Sequence, residues 1–365
     1  MLGHSHGAEA AGLPTVRGHA GVPPKGETAA TVVCVLGMHR SGTSTLARTV
    51  NLLGVYLGEE QDLGDANEDN PEGYWERPDI TRLNGRILAS LGSAWDATTP
   101  LPGDWMTSPA IPRYKDELRR LLLTKFASQR LWGWKDPRTC LLLPLWQQVL
   151  GELKTQVLYI FVVRSPLDVA ASLKRRDNMS VRKAVAIWLN YNLAAVQSVS
   201  GARVAFLSYD KLVENWEPEL CRCFSILALD WPRDEVAVRK AISSFIRPSL
   251  RHSSIADKKP EALPSQAREV FALLLGACHL KTGLPLPPAF FERVSRITEA
   301  ARIKGDCALD IDESAVSVAR PSRIQRTWWR WKRSIKKRLR TLKTRPGRDV
   351  ISSELTCPAT TPNGE

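Results

Sequence analysis

The sequence contains no apolar stretch that is long enough to cross a membrane. Its longest strongly apolar run, Val157 to Val163, falls far short of the roughly 20 residues that a membrane-spanning helix requires. The first thirty residues also lack the apolar core of a secretory signal. We therefore predict a cytoplasmic protein.

The sequence is also poor in residues that form disulfide frameworks or metal sites. It has seven cysteines, an odd number, with no Cys-x-x-Cys pair, which is typical of free thiols in a reducing compartment. His4 and His6 lie close together near the N-terminus, and we interpret them as incidental rather than as ligands. We predict no metal site.

Acidic residues are too few to balance the basic ones, and the net charge is +13. Between Pro321 and Val350 there are twelve Lys and Arg residues and one acid, Asp349, so the rest of the chain carries only +2. The basic character therefore belongs to one segment and says little about the remainder of the protein.

This basic segment has an amphipathic pattern. Apolar residues recur in it at intervals of three and four: Ile324, Trp328, Trp331, Ile335, Leu339 and Leu342. We predict a basic amphipathic, Trp-rich helix within residues 321–345 that binds an anionic membrane surface or packs against its own domain. A nucleic acid is the less favoured partner.

The apolar pattern divides the chain into a disordered leader at 1–30, a domain at 31–305 and a low-order tail at 306–365. Within the domain, short apolar strands alternate with helical patterns, which favours a parallel sheet covered by helices on both sides. The predicted strands are Thr31–Leu36, Leu131–Trp134, Val157–Val163 and Arg203–Leu207. We predict an α/β protein with a P-loop-like three-layer fold, a central parallel sheet flanked by helices and a helical C-terminal part.

The first predicted strand leads through a glycine-rich loop into a helix. Gly37-x4-Gly42-Thr43-Ser44 has the spacing of a Walker A loop, but Thr43 stands where that loop has its lysine. The backbone amides of such a loop still bind an anion at the start of a helix, and Arg40 adds a positive charge. An NTPase needs the lysine and Mg²⁺ to bind its terminal phosphates. A nucleotide that donates a sulfuryl group has fewer negative charges at its reacting end, so Arg40 and the backbone amides suffice to bind it. The alternative is a turn that only joins strand to helix.

A second candidate anion site follows the third predicted strand. Arg164 ends this strand, where the ligands of parallel sheets collect, and Ser165 and Pro166 suit the start of a helix. Ser172 lies two turns into that helix and would face the same anion as Arg164. The alternative is an arginine that forms a surface ion pair.

Together these motifs resemble those of the sulfotransferases that use 3′-phosphoadenosine 5′-phosphosulfate. The loop Met38–Thr45 is similar to the 5′-phosphosulfate loop of that family, and Arg164 with Ser172 is similar to its 3′-phosphate motif. Three further segments resemble a bacterial subgroup of the family: Asp69–Glu76, Leu131–Arg138 and Tyr209–Leu212. Lys135-Asp136-Pro137 also resembles tyrosylprotein sulfotransferases. The resemblance extends from about residue 31 to residue 255.

The resemblance implies a donor site that needs no metal ion. It assigns the reactive 5′ end of the donor to six consecutive residues: Arg40, Ser41, Gly42, Thr43, Ser44 and Thr45. It assigns the 3′-phosphate to Arg164 and Ser172, and by looser analogy Arg251 reaches a donor phosphate. Thr45 departs from the pattern of the cytosolic members, which carry an aromatic residue there that stacks on adenine.

The transfer also needs cations over the sulfuryl oxygens and a base for the acceptor hydroxyl. Arg40 and Lys135 are the candidate cations. Glu60, in a Gly-Glu-Glu context like that of tyrosylprotein sulfotransferases, and Glu76 are equal candidates for the base, and Asp136 is a lesser one. The alternative to a catalytic role for Lys135 and Asp136 is a turn stabilised by local ion pairs. The alternative for Glu76 is a carboxylate that stabilises the start of a helix. Histidine is not expected to act as the base.

The expected acceptor is a hydroxyl of a carbohydrate or a lipid-linked glycan, bound by loops such as 80–112. The alternatives are a non-catalytic nucleotide- or anion-binding module and a P-loop kinase-like protein, either of them recruited by the basic tail.

Overall fold

The computed structural model describes residues 29–64, 73–231, 235–246, 263–280, 286–304 and 311. These residues belong to one compact unit, Met1–Ser317, and the second unit, Val318–Glu365, lies outside them. Nearly all of the predicted leader, the basic segment 321–345 and Arg251 also lie outside the described residues.

The centre of the described unit is a four-stranded sheet in which every pair of neighbours is parallel. The strands are β1 (Thr31–Leu36), β2 (Leu131–Lys135), β3 (Gln156–Val163) and β4 (Val204–Ser208), in the spatial order β2-β1-β3-β4. In the register, Val33 lies between Gly133 and Leu158, and Phe161 lies opposite Phe206. The predicted parallel α/β fold is confirmed.

The strands β1 and β2 approach each other closely at Gly133. A Cβ atom at this position would lie 2.3 Å from the carbonyl oxygen of Val33, so only glycine fits there. This contact fixes the position of the end of β2, which carries one of the candidate site residues.

Helices cover both faces of the sheet. In chain order they are α1 (Thr43–Leu52), α2 (Pro78–Ser90), α3 (Ile111–Phe126), α4 (Thr139–Glu152), α5 (Pro166–Asp177), α6 (Val181–Ser198), α7 (Tyr209–Glu214), α8 (Trp216–Leu227), α9 (Glu235–Phe245), α10 (Ser265–Ala277) and α11 (Pro288–Lys304). Two short 3₁₀ turns occupy Glu60–Asp62 and Trp105–Thr107. In the described part of the chain, no helix combines the length and the apolar character that spanning a membrane would require.

The alternation of strand side chains builds two apolar layers. Val33, Val35 and Ile160 belong to a buried cluster that includes residues of α1, α8 and α9. The opposite face carries Tyr159, whose hydroxyl accepts a hydrogen bond from Gln147 of α4. Since side chains alternate along a strand, continuously apolar strands of this kind are expected where helices cover both faces.

Candidate functional site

The loop between β1 and α1 is held in a conformation that depends on glycine. Gly37, Arg40 and Gly42 have φ values of 143°, 67° and 90°. A Cβ atom on Gly42 would lie 2.0 Å from Cδ2 of Tyr209, so a side chain at this position would collide with the tyrosine ring. Gly42 is also the N-cap of α1 and has no side chain with which to cap that helix. The first amides of α1 are therefore suited to bind an anion.

Four strand ends bring the candidate residues to one edge of the sheet. The glycine loop follows β1, Lys135 ends β2, Arg164 follows β3 and Tyr209 follows β4. Because all four strands are parallel, their carboxyl ends lie at the same edge, where open α/β sheets bind ligands.

Direct hydrogen bonds join the two predicted phosphate motifs. Nε of Arg40 donates to Oγ of Ser172 over 2.8 Å, and a guanidinium nitrogen of Arg164 donates to the carbonyl oxygen of Arg40 over 2.9 Å. Residues that are 124 and 132 positions apart in sequence are thus in contact. The structure places both motifs in a single site.

Where the chain leaves β3, two buried polar atoms have no hydrogen-bond partner among the residues that the structure describes. They are Nε of Arg164 and Oγ of Ser165, on residues that are only 8% and 1% exposed. The guanidinium of Arg164 also lies 4.5 Å from the centre of the Tyr209 ring, a favourable cation–π geometry. Such atoms are expected to acquire a partner when a ligand binds.

Lys135 is turned towards the glycine loop. Its ammonium donates to Oγ of Ser44 over 3.0 Å, to the carbonyl oxygen of Tyr74 over 3.0 Å and to Oε1 of Glu76 over 2.5 Å. The lysine is only 3% exposed. A buried cation therefore connects the start of α1 to a carboxylate.

Glu76 is the candidate base that the structure brings into this network. Burial raises the pKa of its carboxyl, Lys135 lowers it, and the negative charge of Asp136 raises it again, so that the pKa stands above the usual 4.5. A carboxylate with a raised pKa is a stronger proton acceptor than an ordinary glutamate.

Asp136 is buried and held by hydrogen bonds within the protein. It has no exposed surface, and its carboxylate accepts hydrogen bonds from Asn84 of α2 over 2.9 Å and from the backbone and the guanidinium of Arg138 over 3.1 and 2.9 Å. The expectation of a turn stabilised by local ion pairs therefore describes Asp136 and Arg138, whereas Lys135 faces the loop.

Glu60, the other candidate base, lies on an exposed 3₁₀ turn. Its electrostatic partner is Arg48 of α1, whose guanidinium lies 4.1 Å from the centre of the Trp75 ring. The structure thus associates Glu60 with Arg48, and Glu76 with Lys135 and Ser44.

Tyr209 is a site residue that the sequence pattern indicated only as part of a longer motif. Its ring contacts Gly42 and Arg164, and its hydroxyl is hydrogen-bonded to Thr45. Burial raises the pKa of this hydroxyl above 10, so the group stays neutral. The signal that could have found Tyr209 is its place directly after the last apolar strand.

His39 lies within the glycine loop, and the sequence pattern assigned it no role. In the structure its ring packs edge-on against Trp95 and Tyr191, with centroid distances of 5.0 and 5.6 Å. Burial, followed by the nearby positive charges, lowers the pKa of the imidazole well below 6.5. The ring is therefore neutral at physiological pH.

A cavity of about 250 Å³ lies beside α6. It is lined by residues 98–103, by Trp105 and by side chains such as Leu141 of α4 and Leu189 of α6. The adjoining chain is held to α6, because the hydroxyl of Tyr191 donates to the carbonyl oxygen of Trp95 over 2.7 Å. Across the described ranges, no group of three or more His, Cys, Asp or Glu residues is placed to hold a metal ion.

No family model and no curated protein matches the chain. Sulfotransferase STF1 from Mycobacterium tuberculosis is similar with a TM-score of 0.38 and 15% identity, over 67% of this chain and 77% of that one. A sulfotransferase domain from the curacin biosynthetic pathway has a TM-score of 0.33 and 16% identity, over 75% of this chain and 99% of that one. A sulfotransferase domain from the olefin synthase of Synechococcus PCC 7002 has a TM-score of 0.32 and 20% identity, over 76% and 96%.

Proposed function

We propose that the protein is a sulfotransferase that binds 3′-phosphoadenosine 5′-phosphosulfate and transfers its sulfuryl group to an acceptor hydroxyl. The observation that carries this proposal is the direct contact between two anion sites at one sheet edge. A guanidinium nitrogen of Arg164 donates a hydrogen bond to the carbonyl oxygen of Arg40 in the glycine loop, and Nε of Arg164 has no partner among the described residues. A nucleotide with anionic groups at both its 3′ and 5′ positions matches such a pair of sites.

In this proposal the 5′ end of the donor lies on the loop residues 40–45 and on the first amides of α1. The 3′-phosphate lies against Arg164 and Ser172, and it also meets the buried hydroxyl of Ser165. Each of these groups donates hydrogen bonds to phosphate oxygens, and those from arginine are the stronger, charge-assisted kind.

The position of Lys135 favours sulfuryl transfer over nucleotide hydrolysis. In an NTPase loop the serine that follows the lysine helps to hold Mg²⁺. Here the corresponding Ser44 accepts a hydrogen bond from the ammonium of Lys135. A protein cation thus occupies the place beside this hydroxyl, and Thr43 cannot supply the missing charge.

The chemical step needs only groups that are present in the site and the two substrates. The acceptor oxygen attacks sulfur in line, the bond from sulfur to the bridging oxygen breaks, and the nucleotide bisphosphate leaves with the bonding electrons. Arg40 and Lys135 stabilise the charge that develops on the leaving oxygen. Glu76 takes the proton of the acceptor hydroxyl.

Glu76 is preferred to Glu60 as the base because of its link to Lys135. Lys135 is hydrogen-bonded both to Oγ of Ser44 at the start of α1 and to Oε1 of Glu76, so this carboxylate is linked directly to a cation of the proposed donor site. The exposed Glu60 has no comparable link.

We place the acceptor, a carbohydrate or lipid-linked glycan, near the loop that lines the cavity beside α6. We also propose that the enzyme works in the bacterial cytoplasm, where the segment 321–345 contacts the anionic inner surface of the membrane. That surface would bring the enzyme close to a lipid-linked acceptor.

A thermal-shift series tests the donor site. The full-length protein is heated with 3′-phosphoadenosine 5′-phosphate, ATP or GTP, each with and without Mg²⁺. We expect the bisphosphate to raise the melting temperature without metal, by the amount that mass action gives. Stabilisation by ATP with Mg²⁺ alone would show a P-loop kinase-like protein instead.

A transfer assay tests the reaction. Donor labelled with ³⁵S is incubated with carbohydrate, lipid and tyrosyl-peptide acceptors, and labelled product is expected with the first two. Binding of the bisphosphate without transfer to any acceptor would favour the non-catalytic binding module.

A further inference from the structure

His39 has a feature that the donor site described above leaves unexplained. Its Nε2 atom is closed to solvent and has no hydrogen-bond partner among the residues that the structure describes. An unpaired buried polar atom is costly, and functional sites are where such atoms persist. Since His39 lies directly before Arg40 in the glycine loop, a molecule bound to this loop is the natural source of the missing partner.

The imidazole has a fixed position. Its ring packs edge-on against Trp95 and Tyr191, and these two residues are themselves joined by the hydrogen bond from the Tyr191 hydroxyl. Nε2 is therefore held in one place by the loop, by residue 95 and by α6. A ligand that satisfies it must bring an oxygen to about 2.9 Å from this nitrogen.

The electrostatic surroundings disfavour a protonated imidazole, and a neutral ring donates from Nε2 in its Nε2–H tautomer. Four cations act on the imidazole: Arg138, Arg176, Lys135 and Arg40. Tyr191 also faces the ring, and burial together with the charge of Asp136 raises the pKa of its hydroxyl well above 10, so it remains neutral. A proton taken up by His39 would add a fifth positive charge to this group. The residue is therefore poorly suited to act as the base, and well suited to donate a hydrogen bond while it is neutral.

We infer that His39 donates its Nε2–H hydrogen bond to an oxygen of the sulfuryl group of the bound donor. This inference rests on the proposed sulfotransferase function and adds a residue that positions the transferred group. Arg40 and Lys135 attract the anion by charge, whereas a neutral N–H group fixes the direction of one S–O bond. That direction matters because in-line attack on sulfur tolerates little misalignment.

Two variants and two nucleotides test this role. His39→Phe keeps a planar ring between Trp95 and Tyr191 but removes the N–H group, and His39→Gln keeps a side-chain N–H donor. The intact donor carries the sulfuryl group, and the product 3′-phosphoadenosine 5′-phosphate lacks it. His279→Phe is the matched control, because His279 is exposed and contacts Lys211.

The affinity of each variant is measured by calorimetry without acceptor. We expect His39→Phe to bind the intact donor about tenfold or more weakly, the effect of one hydrogen bond to a charged group. The affinity for the product should change less than about twofold, and His39→Gln should recover part of the loss for the donor. An equal loss for donor and product would show that His39 only packs the loop, and would overturn the inference.

The protonation state supplies a second readout. Two-bond ¹⁵N–¹H spectra of histidine-labelled protein should show His39 as the neutral Nε2–H tautomer at neutral pH, with and without the donor. A cationic ring, or the tautomer that carries its proton on Nδ1, would overturn the inference while leaving donor binding intact. Absence of nucleotide binding by the parent protein would instead refute the proposed function, and the role of His39 with it.

Discussion

Among single residues, Arg164 has a guanidinium group that is only partly hydrogen-bonded within the described part of the protein. One guanidinium nitrogen is committed to the carbonyl oxygen of Arg40, whereas Nε has no partner among the described residues. Arg164→Ala should weaken the binding of 3′-phosphoadenosine 5′-phosphate about tenfold or more, since a hydrogen bond to a charged group contributes about 1.5–3 kcal/mol. Isothermal titration calorimetry measures this loss.

Adenosine 5′-phosphosulfate provides the comparison for Arg164. This nucleotide lacks the 3′-phosphate, so its affinity should change little in the variant. Arg86→Ala is a suitable control, because Arg86 pairs with Glu117 on the surface. Equal losses for both nucleotides would assign Arg164 to the stability of the loop instead of the 3′-phosphate.

The roles of Glu76 and Glu60 can be distinguished by replacing each glutamate with glutamine. Glutamine at position 76 still accepts a hydrogen bond from Lys135 but cannot take a proton. Glu76→Gln should therefore lower turnover about 10²–10⁴-fold while the melting temperature and donor affinity stay close to those of the parent. Glu60→Gln should keep its turnover. A loss of turnover in the second variant alone would exchange the two assignments.

The raised pKa of Glu76 gives this prediction a pH dependence. The carboxylate accepts a proton only when it is ionised, and burial has moved its pKa above 4.5. The turnover of the parent protein in the transfer assay should therefore fall on the acid side at a pH above 4.5. This acid limb should be absent from the residual activity of Glu76→Gln, which a pH–rate profile would show.

In the loop between β1 and α1, the residue at position 42 is constrained by its backbone conformation and by the ring of Tyr209 beside it. Alanine at position 42 would have to adopt a φ of 90° and would also collide with the ring of Tyr209. Gly54 separates the two effects, because its φ is 100° but a Cβ atom added there would meet no atom within 4 Å. Gly54→Ala should lose about 1 kcal/mol or slightly more in the free energy of unfolding, from backbone strain alone.

Gly42→Ala should lose more than this, and its affinity for the bisphosphate nucleotide should fall as well. Urea denaturation measures the first effect and calorimetry the second. Similar free energies of unfolding for the two variants would mean that the Tyr209 ring moves aside at little cost.

The elements themselves were largely predictable from local pattern. The apolar runs located all four described strands to within about one residue at each end, because strands buried on both faces have a continuous apolar signal. Helix starts also follow local chemistry: Ser180 is the N-cap of α6, and its side chain accepts a hydrogen bond from the amide of Lys183.

The contacts between elements were not predictable in the same way. Glu76 and Lys135 are 59 positions apart, and nothing local distinguishes this carboxylate from that of Glu60. Tyr209 and Gly42 meet only because β4 and β1 both end at the same sheet edge. Such contacts depend on the strand order, which hydrophobic periodicity does not encode.

At the scale of the whole molecule, the charge is concentrated in one part of the chain. Most of the net charge of +13 lies between Pro321 and Val350. The full-length protein should sediment with vesicles that contain phosphatidylglycerol and not with purely zwitterionic ones, and salt should weaken the binding.

The tryptophans of that segment should contribute as well. The double variant Trp328→Ala and Trp331→Ala should bind the anionic vesicles less strongly, because aromatic residues partition into the membrane interface. Its affinity for the bisphosphate nucleotide should not change. Equal binding to neutral vesicles, or none to anionic ones, would leave the segment without a membrane role.

The hydrogen bonds among Arg40, Ser172 and Arg164 have a further consequence for selectivity. Since the loop and the proposed 3′-phosphate motif are hydrogen-bonded to each other, ordering one of them should order the other. Adenosine 3′-phosphate and free sulfate should then bind synergistically, each improving the apparent affinity of the other by the same factor. A nucleotide that binds only one of the two motifs, such as AMP, would lack this chelate effect. This coupling would let the protein select a nucleotide that carries both anionic groups over ordinary adenine nucleotides.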